Sequence, residues 1–205
     1  MKIKCRIIGF DLDGTLLNSE KHIAEHTREV LTRAVEQGIW ILPVTGRPLG
    51  GLPKEVVEFP GVQYAITANG ARIMETQTGG CLYERLVPVK TAEQIMEIFS
   101  DYDALREVYY GGKGYAEAEE FSRVGEYMRS PQMAAYVRAT RTPVPDILQL
   151  IREKGQDTDK VQGVFKIDEE RTEARKRLEA VEGIEVTGAL SNNIEVNAAG
   201  VDKGN

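Results

Sequence analysis

Two carboxylates two residues apart, at the end of an apolar run, are the groups in this chain best placed to do chemistry. The stretch reads Ile7-Ile8-Gly9-Phe10-Asp11-Leu12-Asp13-Gly14-Thr15. Lys4 through Phe10 reads as a buried strand, too short for a helix and with a turn signal behind it. Residues two apart on a strand point to the same side, so Asp11 and Asp13 leave the strand end together where extended geometry persists. Gly14 then lets the chain turn, because it tolerates backbone angles that other residues avoid. Two carboxylates so close repel unless a cation or a shared proton sits with them. A hard cation such as Mg2+ fits, since it prefers oxygen ligands. The bland alternative is an Asp-Gly turn in which Asp13 caps the turn and Asp11 is merely exposed.

The elements that must position these acids follow from the hydrophobic pattern. A loop after Thr15 leads to a helix over 25–37, with Ile23, Val30, Leu31, Ala34 and Val35 on one side and Gly38 as its C-terminal stop. His22 and His26 stand four apart near its start; with no third ligand in evidence they read as exposed histidines rather than a metal pair. Residues 39–44 form a second strand, in which Pro43 cannot donate to a ladder and belongs near the strand end. Thr45-Gly46-Arg47 follows at once, and Pro48 opens a short helix. A third buried strand over 63–67 runs into Asn69-Gly70. Strand, helix, strand, helix, strand predicts an α/β fold with a parallel sheet and crossover helices. Ligands gather beyond the carboxyl ends of such strands, and Asp11, Thr45 and Asn69 all fall there.

Beyond Ala71 the pattern changes. Gly79-Gly80 between short apolar segments predicts a hairpin over 71–84. Thr91-Ala92-Glu93-Gln94 is a capping box opening a helix through about Phe99. Two strands flank Gly111-Gly112-Lys113-Gly114, a turn without the spacing of a phosphate loop. Helices are expected over 119–128 and 145–154, a strand over 161–167, a helix over 169–181, and strands over 184–187 and 193–196. The expected division is a core of residues 1–81 and 191–205 with an inserted α+β domain over 82–190.

The 205 residues are 41% hydrophobic and 28% charged, ordinary globular material for one large or two small domains. A net charge of −6 argues against a nucleic-acid partner, which calls for a basic patch. The densest basic cluster, Arg171 to Arg177, is interleaved with glutamates and reads as a solvated helix face. Cys5 lies in the expected buried strand and reads as a small core residue. The two cysteines form no disulfide framework or metal spacing. With no signal peptide and no apolar stretch long enough to span a bilayer, no membrane partner is expected and the cytoplasm is the default. A monomer or weak homodimer is expected.

Asp11-Leu12-Asp13-Gly14-Thr15 after a strand resembles the first motif of the haloacid dehalogenase (HAD) superfamily of phosphatases. Thr45-Gly46-Arg47 resembles the second motif. Gly200-Val201-Asp202-Lys203-Gly204 resembles the third, where the family keeps its lysine. Asn69-Gly70-Ala71 resembles the family's third-strand turn, and the long insertion resembles the large α/β cap of the Cof-type subfamily. The resemblance covers nearly the whole chain and implies a three-layer, Rossmann-like core carrying an α+β cap. It implies Asp11 as nucleophile and Asp13 as general acid/base, with Thr45 and Lys203 completing the catalytic set. It also implies Gly46, Arg47, Asn69 and Gly70 beside the substrate, and Mg2+ held by Asp11 and by Asp13 through a backbone carbonyl nearby. The implied activity is Mg2+-dependent hydrolysis of phosphomonoesters of small phosphorylated metabolites, such as sugar phosphates.

Phosphoryl transfer gathers negative charge on equatorial oxygens while nucleophile and leaving group line up. On this resemblance Asp11 forms an aspartyl-phosphate, and Asp13 protonates the leaving alcohol and then deprotonates the attacking water. Thr45 holds a phosphoryl oxygen with its hydroxyl and backbone N–H, and Lys203 neutralises charge. The cap, large and without catalytic motifs, is expected to close over the site and select the substrate. A phosphomutase or phosphotransferase would use the same nucleophile, and a non-catalytic binder of phosphate ligands is a further alternative. A signalling receiver domain also uses Thr and Lys at later strand ends, but Asp13 and the large insertion argue against it. The family's fourth motif, an acidic Gly-Asp-x-x-x-Asp segment that helps hold Mg2+, does not occur before Asn205. These 205 residues alone are therefore expected to be weakly active or inactive.

Overall fold

Pairing of the first two strands sets the frame for the acids. A computed structural model of the chain describes residues 5–204, and the expected strand start at Lys4 lies outside them. The chain divides into two compact units, Met1–Glu84 with Asp202–Asn205, and Arg85–Val201.

In the first unit β1 (Ile7–Phe10) and β2 (Trp40–Pro43) are parallel, joined by the crossover helix α1 (Glu25–Glu36). Phe10 pairs with Pro43 at the very end of the ladder, where a residue without an N–H does least harm. After α2 (Lys54–Val57), β3 (Tyr64–Thr67) joins by a parallel bridge between Val44 and Ile66. β4 (Arg72–Glu75) and β5 (Cys81–Glu84) then continue from β3 as antiparallel hairpins, so the sheet is mixed. Leu12, Leu16, Leu17, Leu31, Ile41, Val56, Phe59, Val62 and Ala65 make the core.

Two expectations fail here for one reason. β1 is not buried, Ile7 is 58% exposed, and Cys5 is exposed rather than in the core. Among the described residues β1 has β2 as its only ladder partner, and the core forms on the residues that follow it. Val30 likewise faces solvent, leaving Leu31, Ala34 and Val35 as the packed side of α1.

The second unit is a six-stranded sheet in the order β10-β11-β9-β6-β7-β8. Its first helix, α3 (Val89–Ser100), starts ahead of the Thr91 capping box. The Val89 N–H is taken by the Asp157 carboxylate at 2.9 Å, a remote acceptor that replaces a local cap. β6 (Ala104–Tyr110) and β7 (Lys113–Glu117) form the expected hairpin. The helix expected over 119–128 is broken into α4 (Ala118–Ser122) and α5 (Val124–Tyr127). Two unforeseen elements follow, α6 (Pro131–Thr140) and β8 (Arg141–Val144). α6 is opened by Ser130, whose hydroxyl accepts from the Met133 N–H at 3.2 Å, with Pro131 in the first turn.

α7 (Ile147–Lys154), β9 (Lys160–Phe165), α8 (Asp168–Leu178) and β10 (Ile184–Thr187) precede the last strand, β11 (Asn193–Ala198). The sequence assigns residues 191–201 to the first domain, but β11 lies inside the second unit's sheet, antiparallel to both β9 and β10. All six of its residues are buried there. On one face Phe99 of α3 meets Phe165 edge-on at 5.7 Å, while Leu105, Ala116 and Val164 on the other face pack with residues of α5 and α6. Arg175, Lys176 and Arg177 of α8 face solvent. Among the described residues no helix is long and apolar enough to cross a membrane.

Candidate active site

Asp11 follows Phe10 at the carboxyl end of β1. The Leu16 and Leu17 N–H groups reach back to the Asp11 and Leu12 carbonyls at 3.2 and 2.9 Å, folding the chain at once. Gly14 makes that turn at φ 81°, a left-handed angle natural to glycine. Leu12, between the acids, is fully buried and anchors them.

Each acid meets its own protein cation. Lys203 Nζ stands 2.5 Å from Asp11 Oδ1. Asp13 is gripped by a guanidinium fork: Arg47 Nε donates to Oδ2 at 2.8 Å and Nη2 to Oδ1 at 2.7 Å. Lys21 Nζ adds a third bond to Oδ1 at 2.8 Å. Burial pushes the Asp13 carboxyl up, but the hydrogen bonds and charges of Arg47 and Lys21 outweigh it and bring it down to about 2. Asp13 is therefore an anion at neutral pH. Three side-chain cations stand against the repulsion expected between the acids.

The second strand's turn is locked to the third. Thr45 is buried, and its N–H donates to the Ile66 carbonyl at 2.9 Å. That N–H is thus engaged in the sheet, and only the hydroxyl remains for the expected contact with a phosphoryl oxygen. The hydroxyl oxygen accepts from the Arg47 N–H at 3.2 Å and keeps its own proton to donate. Gly46 lies between Thr45 and Arg47 at the bend. The Asn69 N–H returns to the Thr45 carbonyl and the Ala68 N–H to the Arg47 carbonyl, each at 3.0 Å. Arg47, placed beside substrate by the resemblance, here holds Asp13 and also donates to the Gly51 carbonyl at 3.0 Å.

Asn69 and Gly70 act through the backbone. Asn69 has φ 64° and Gly70 φ 110°. A Cβ at Gly70 would lie 2.1 Å from the Asp202 carbonyl oxygen, so only glycine lets that segment come this close. The approach carries Lys203 to Asp11.

Lys21 is the site residue that sequence reasoning missed. It has φ 66°, costly for a residue with a side chain, and its loop is held by Asn18. The Asn18 side chain accepts from the Glu20 and His22 N–H groups, both at 2.9 Å. Asn18 as a turn former is the only signal a sequence reader could have used. His22 Nδ1 lies 3.0 Å from Glu55 Oε1, and His26 Nδ1 lies 3.8 Å from Glu29 Oε2.

Among the described residues no group of three His, Cys, Asp or Glu side chains gathers to cage a metal. Mg2+ asks for less: one or two carboxylates, with substrate phosphate oxygens and water completing its shell. Asp11 fits, since its side chain is one-third exposed and the oxygen that Lys203 takes keeps a second lone pair for a metal. The Asp13 carboxylate does not, with both oxygens on cations, which leaves that residue's backbone carbonyl as the candidate donor.

An acid at the end of the first parallel strand, a threonine at the second and a lysine brought back from far along the chain define a carboxylate-centred site of an α/β protein. A family model described as haloacid dehalogenase-like hydrolase matches residues 8–205, and the chain belongs to that family. A putative phosphatase of Bacillus subtilis (strain 168), YxeH, is 32% identical over 107 residues, 51% of this chain and 35% of that protein. An HMP-PP phosphatase of Klebsiella pneumoniae (strain 342) is 31% identical over 107 residues, 52% of this chain and 39% of that one. The chain spans less than half the length of these curated relatives. A solved haloacid dehalogenase-like hydrolase from B. subtilis superposes with a TM-score of 0.80 at 24% identity, over 97% of this chain and 75% of that one.

Proposed function

We propose that the protein is a Mg2+-dependent phosphatase of small phosphorylated metabolites that works through an aspartyl-phosphate on Asp11. The observation that carries this reading is the Asp11–Lys203 contact beside the clamped Asp13. Lys203 fixes one Asp11 oxygen and leaves the other to attack phosphorus. The P–O bond to the substrate's alcohol then breaks as the new bond forms. Lys203 and the Thr45 hydroxyl meet charge growing on the phosphoryl oxygens. Bound Mg2+, held by Asp11 and the Asp13 carbonyl, would supply further neutralisation of those oxygens.

As an anion, Asp13 would take a proton from the water that hydrolyses the acyl phosphate, once an oxygen is released by Arg47 or Lys21. Its acid role in the first half-reaction requires a proton on a carboxyl that Arg47 and Lys21 now hold ionised, so their grip must loosen at that step. The second unit carries none of Asp11, Asp13, Thr45 or Lys203, and its part is to select the substrate. The names of the relatives, a putative phosphatase and an HMP-PP phosphatase, support the reaction class.

The test is release of inorganic phosphate, with and without Mg2+, from p-nitrophenyl phosphate and a panel of sugar phosphates. Asp11→Asn keeps the shape and removes the nucleophile, and turnover should fall by orders of magnitude. Substantial turnover by that variant overturns the assignment of Asp11. Absence of phosphate release from every substrate, for these residues and for a longer chain that carries the fourth motif, overturns the reading as a whole.

A further inference from the structure

Lys203, Arg47 and Lys21 are not held alike. Lys203 stands on Asp11. Arg47 grips Asp13 through two nitrogens and adds a bond to the Gly51 carbonyl, and its side chain is only 13% exposed. Lys21 meets Asp13 through one contact, at 2.8 Å on Oδ1, and its side chain is 47% exposed. Arg47 Nη2 bonds that same oxygen at 2.7 Å, so Lys21 is the second cation on an atom already matched. An ammonium on a four-carbon stem swings, whereas a forked guanidinium is fixed by its geometry. Lys21 is therefore the cation that can leave Asp13 at least cost, and Asp13 Oδ1 keeps Arg47 when it does.

The loop that carries this lysine is braced. Leu17 bridges Ile23, the Asn18 N–H donates to the His22 carbonyl at 2.9 Å, and the Lys21 N–H returns to the Asn18 carbonyl at 3.0 Å. Glu55 of α2 ties down the base of the hairpin, accepting from the Ile23 N–H at 3.3 Å and from Arg28 at 2.7 Å. At the tip Lys21 takes φ 66°, an angle that glycine would adopt without strain. A strained residue in so fixed a loop points to a task for its side chain. Holding Asp13 does not account for it, since Arg47 already does that.

The charges indicate the task. Among the five side chains in contact, the positive charges of Lys21, Arg47 and Lys203 face the two negative charges of Asp11 and Asp13. The surplus lies toward solvent, where Asp11, Asp13, Lys21 and Lys203 are each a third to a half exposed. A phosphomonoester brings close to two negative charges at neutral pH. With that group beside Asp11, Lys203 alone would face both the nucleophile and the phosphoryl oxygens. Lys21, on the carboxylate two residues along, is the cation free to join it. We propose that Lys21 is a transferable anion-binding residue, resting on Asp13 in the free protein and passing to the phosphoryl group of a bound phosphomonoester. The exchange trades one ion pair for another, moves no proton, and leaves Asp13 Oδ1 with one donor in place of two. That the anion is a substrate rests on the phosphatase reading; binding of phosphate through Lys21 does not.

The probe is inorganic phosphate, titrated without Mg2+ against the full chain at constant ionic strength and followed by phosphorus NMR. Lys21→Gly removes the ammonium and suits the local angle. It should weaken phosphate about tenfold, the worth of one charge-assisted bond after screening. Lys21→Arg keeps the charge and should retain most of the affinity. No response to phosphate in the wild type, unchanged affinity in Lys21→Gly, or an equal loss in Lys21→Arg overturns the proposal. Lys21→Asn, uncharged and tolerant of this angle, gives the reading if the melting curve shows Lys21→Gly unfolded. In a longer chain that carries the fourth motif, Lys21→Gly should raise KM for p-nitrophenyl phosphate with kcat little changed, because the contact forms on binding and persists in the transition state. The reverse, a lower kcat at unchanged KM, is what a lysine that only steadies Asp13 would give, and it overturns the transfer. Phosphate binding that depends on Lys21, without phosphate release from any substrate, sinks the phosphatase reading alone. Phosphate release with KM and kcat both unchanged in Lys21→Gly sinks the role of Lys21 alone.

Discussion

Replacing Arg47 by methionine should destabilise the first unit, and the penalty should shrink in acid. The change removes two charge-assisted bonds to Asp13, at 2.8 and 2.7 Å, and one to the Gly51 carbonyl. Buried bonds of this kind contribute about 1.5–3 kcal/mol each. The Asp13 side chain is 40% exposed and keeps Lys21, so water and that ammonium make up part of the loss. The expected net penalty at pH 7 is about 2 kcal/mol. Its pH dependence follows from the sign of the Asp13 shift. The carboxyl falls from 3.8 to about 2 on folding, so its stabilisation is complete above 3.8 and is lost as pH drops toward 2. The full difference corresponds to about 2.4 kcal/mol, which screening at this exposure reduces to about 1 kcal/mol. At pH 3 about half of that remains. Trp40, the only tryptophan, sits on β2 and stacks on Tyr64 at 6.1 Å, so its fluorescence follows this unit. Urea unfolding at pH 7 and pH 3 should show a smaller gap between wild type and Arg47→Met at the lower pH. A gap of equal size at both, or none at pH 7, would refute the clamp as a stabilising element.

Asp13→Asn should slow turnover by about 10²–10⁴-fold, more for alkyl phosphates than for p-nitrophenyl phosphate, because poor leaving groups depend most on the proton; an equal loss for both contradicts the acid role. Gly70→Ala puts a Cβ 2.1 Å from the Asp202 carbonyl oxygen at φ 110°, so the backbone must move. It should cost about 2 kcal/mol or more in the Trp40 unfolding transition, and a neutral result would show that this approach is soft. Ser130→Ala removes the α6 cap and should cost about 1 kcal/mol. Hydrogen exchange over 131–140 should quicken while the Trp40 transition stays in place.

What the sequence made legible was local. Asp11-x-Asp13-Gly14-Thr15 is one short stretch, and its turn, its strand and its two acids can be read without knowing the rest of the chain. The strand at 193–196 could also be read, from its alternation, but its sheet could not. Which strands pair is a long-range matter, and β11 chose β9 and β10. β8 was hidden because it carries Pro143 and lies at the edge of its sheet, half exposed, where a strand shows little hydrophobic pattern. α6 was hidden because only Ala134 and Val137 of its residues are buried, too few to mark a helical stripe. The start of α3 was misplaced because a carboxylate 68 positions along the chain caps it.

The same contrast governs the site itself. Its anions are adjacent in sequence, whereas its cations arrive from three separate segments, each by a backbone device. Lys21 comes through a left-handed residue held by Asn18, Arg47 through a turn stitched to Ala68 and Asn69, and Lys203 through the space that Gly70 leaves for Asp202. The Asn69-Gly70 turn illustrates the difference in kind. Its resemblance to a substrate-adjacent motif invites a reading in which side chains touch ligand, yet glycine offers no side chain. A Cβ there would strike a backbone carbonyl, not a substrate. Gly70 is a spacing residue for a lysine 133 positions away, and that dependence can be read only once both segments are folded. Residue type tells a reader which groups can carry charge; the turns at Asn18, Thr45 and Gly70 decide which of them meet.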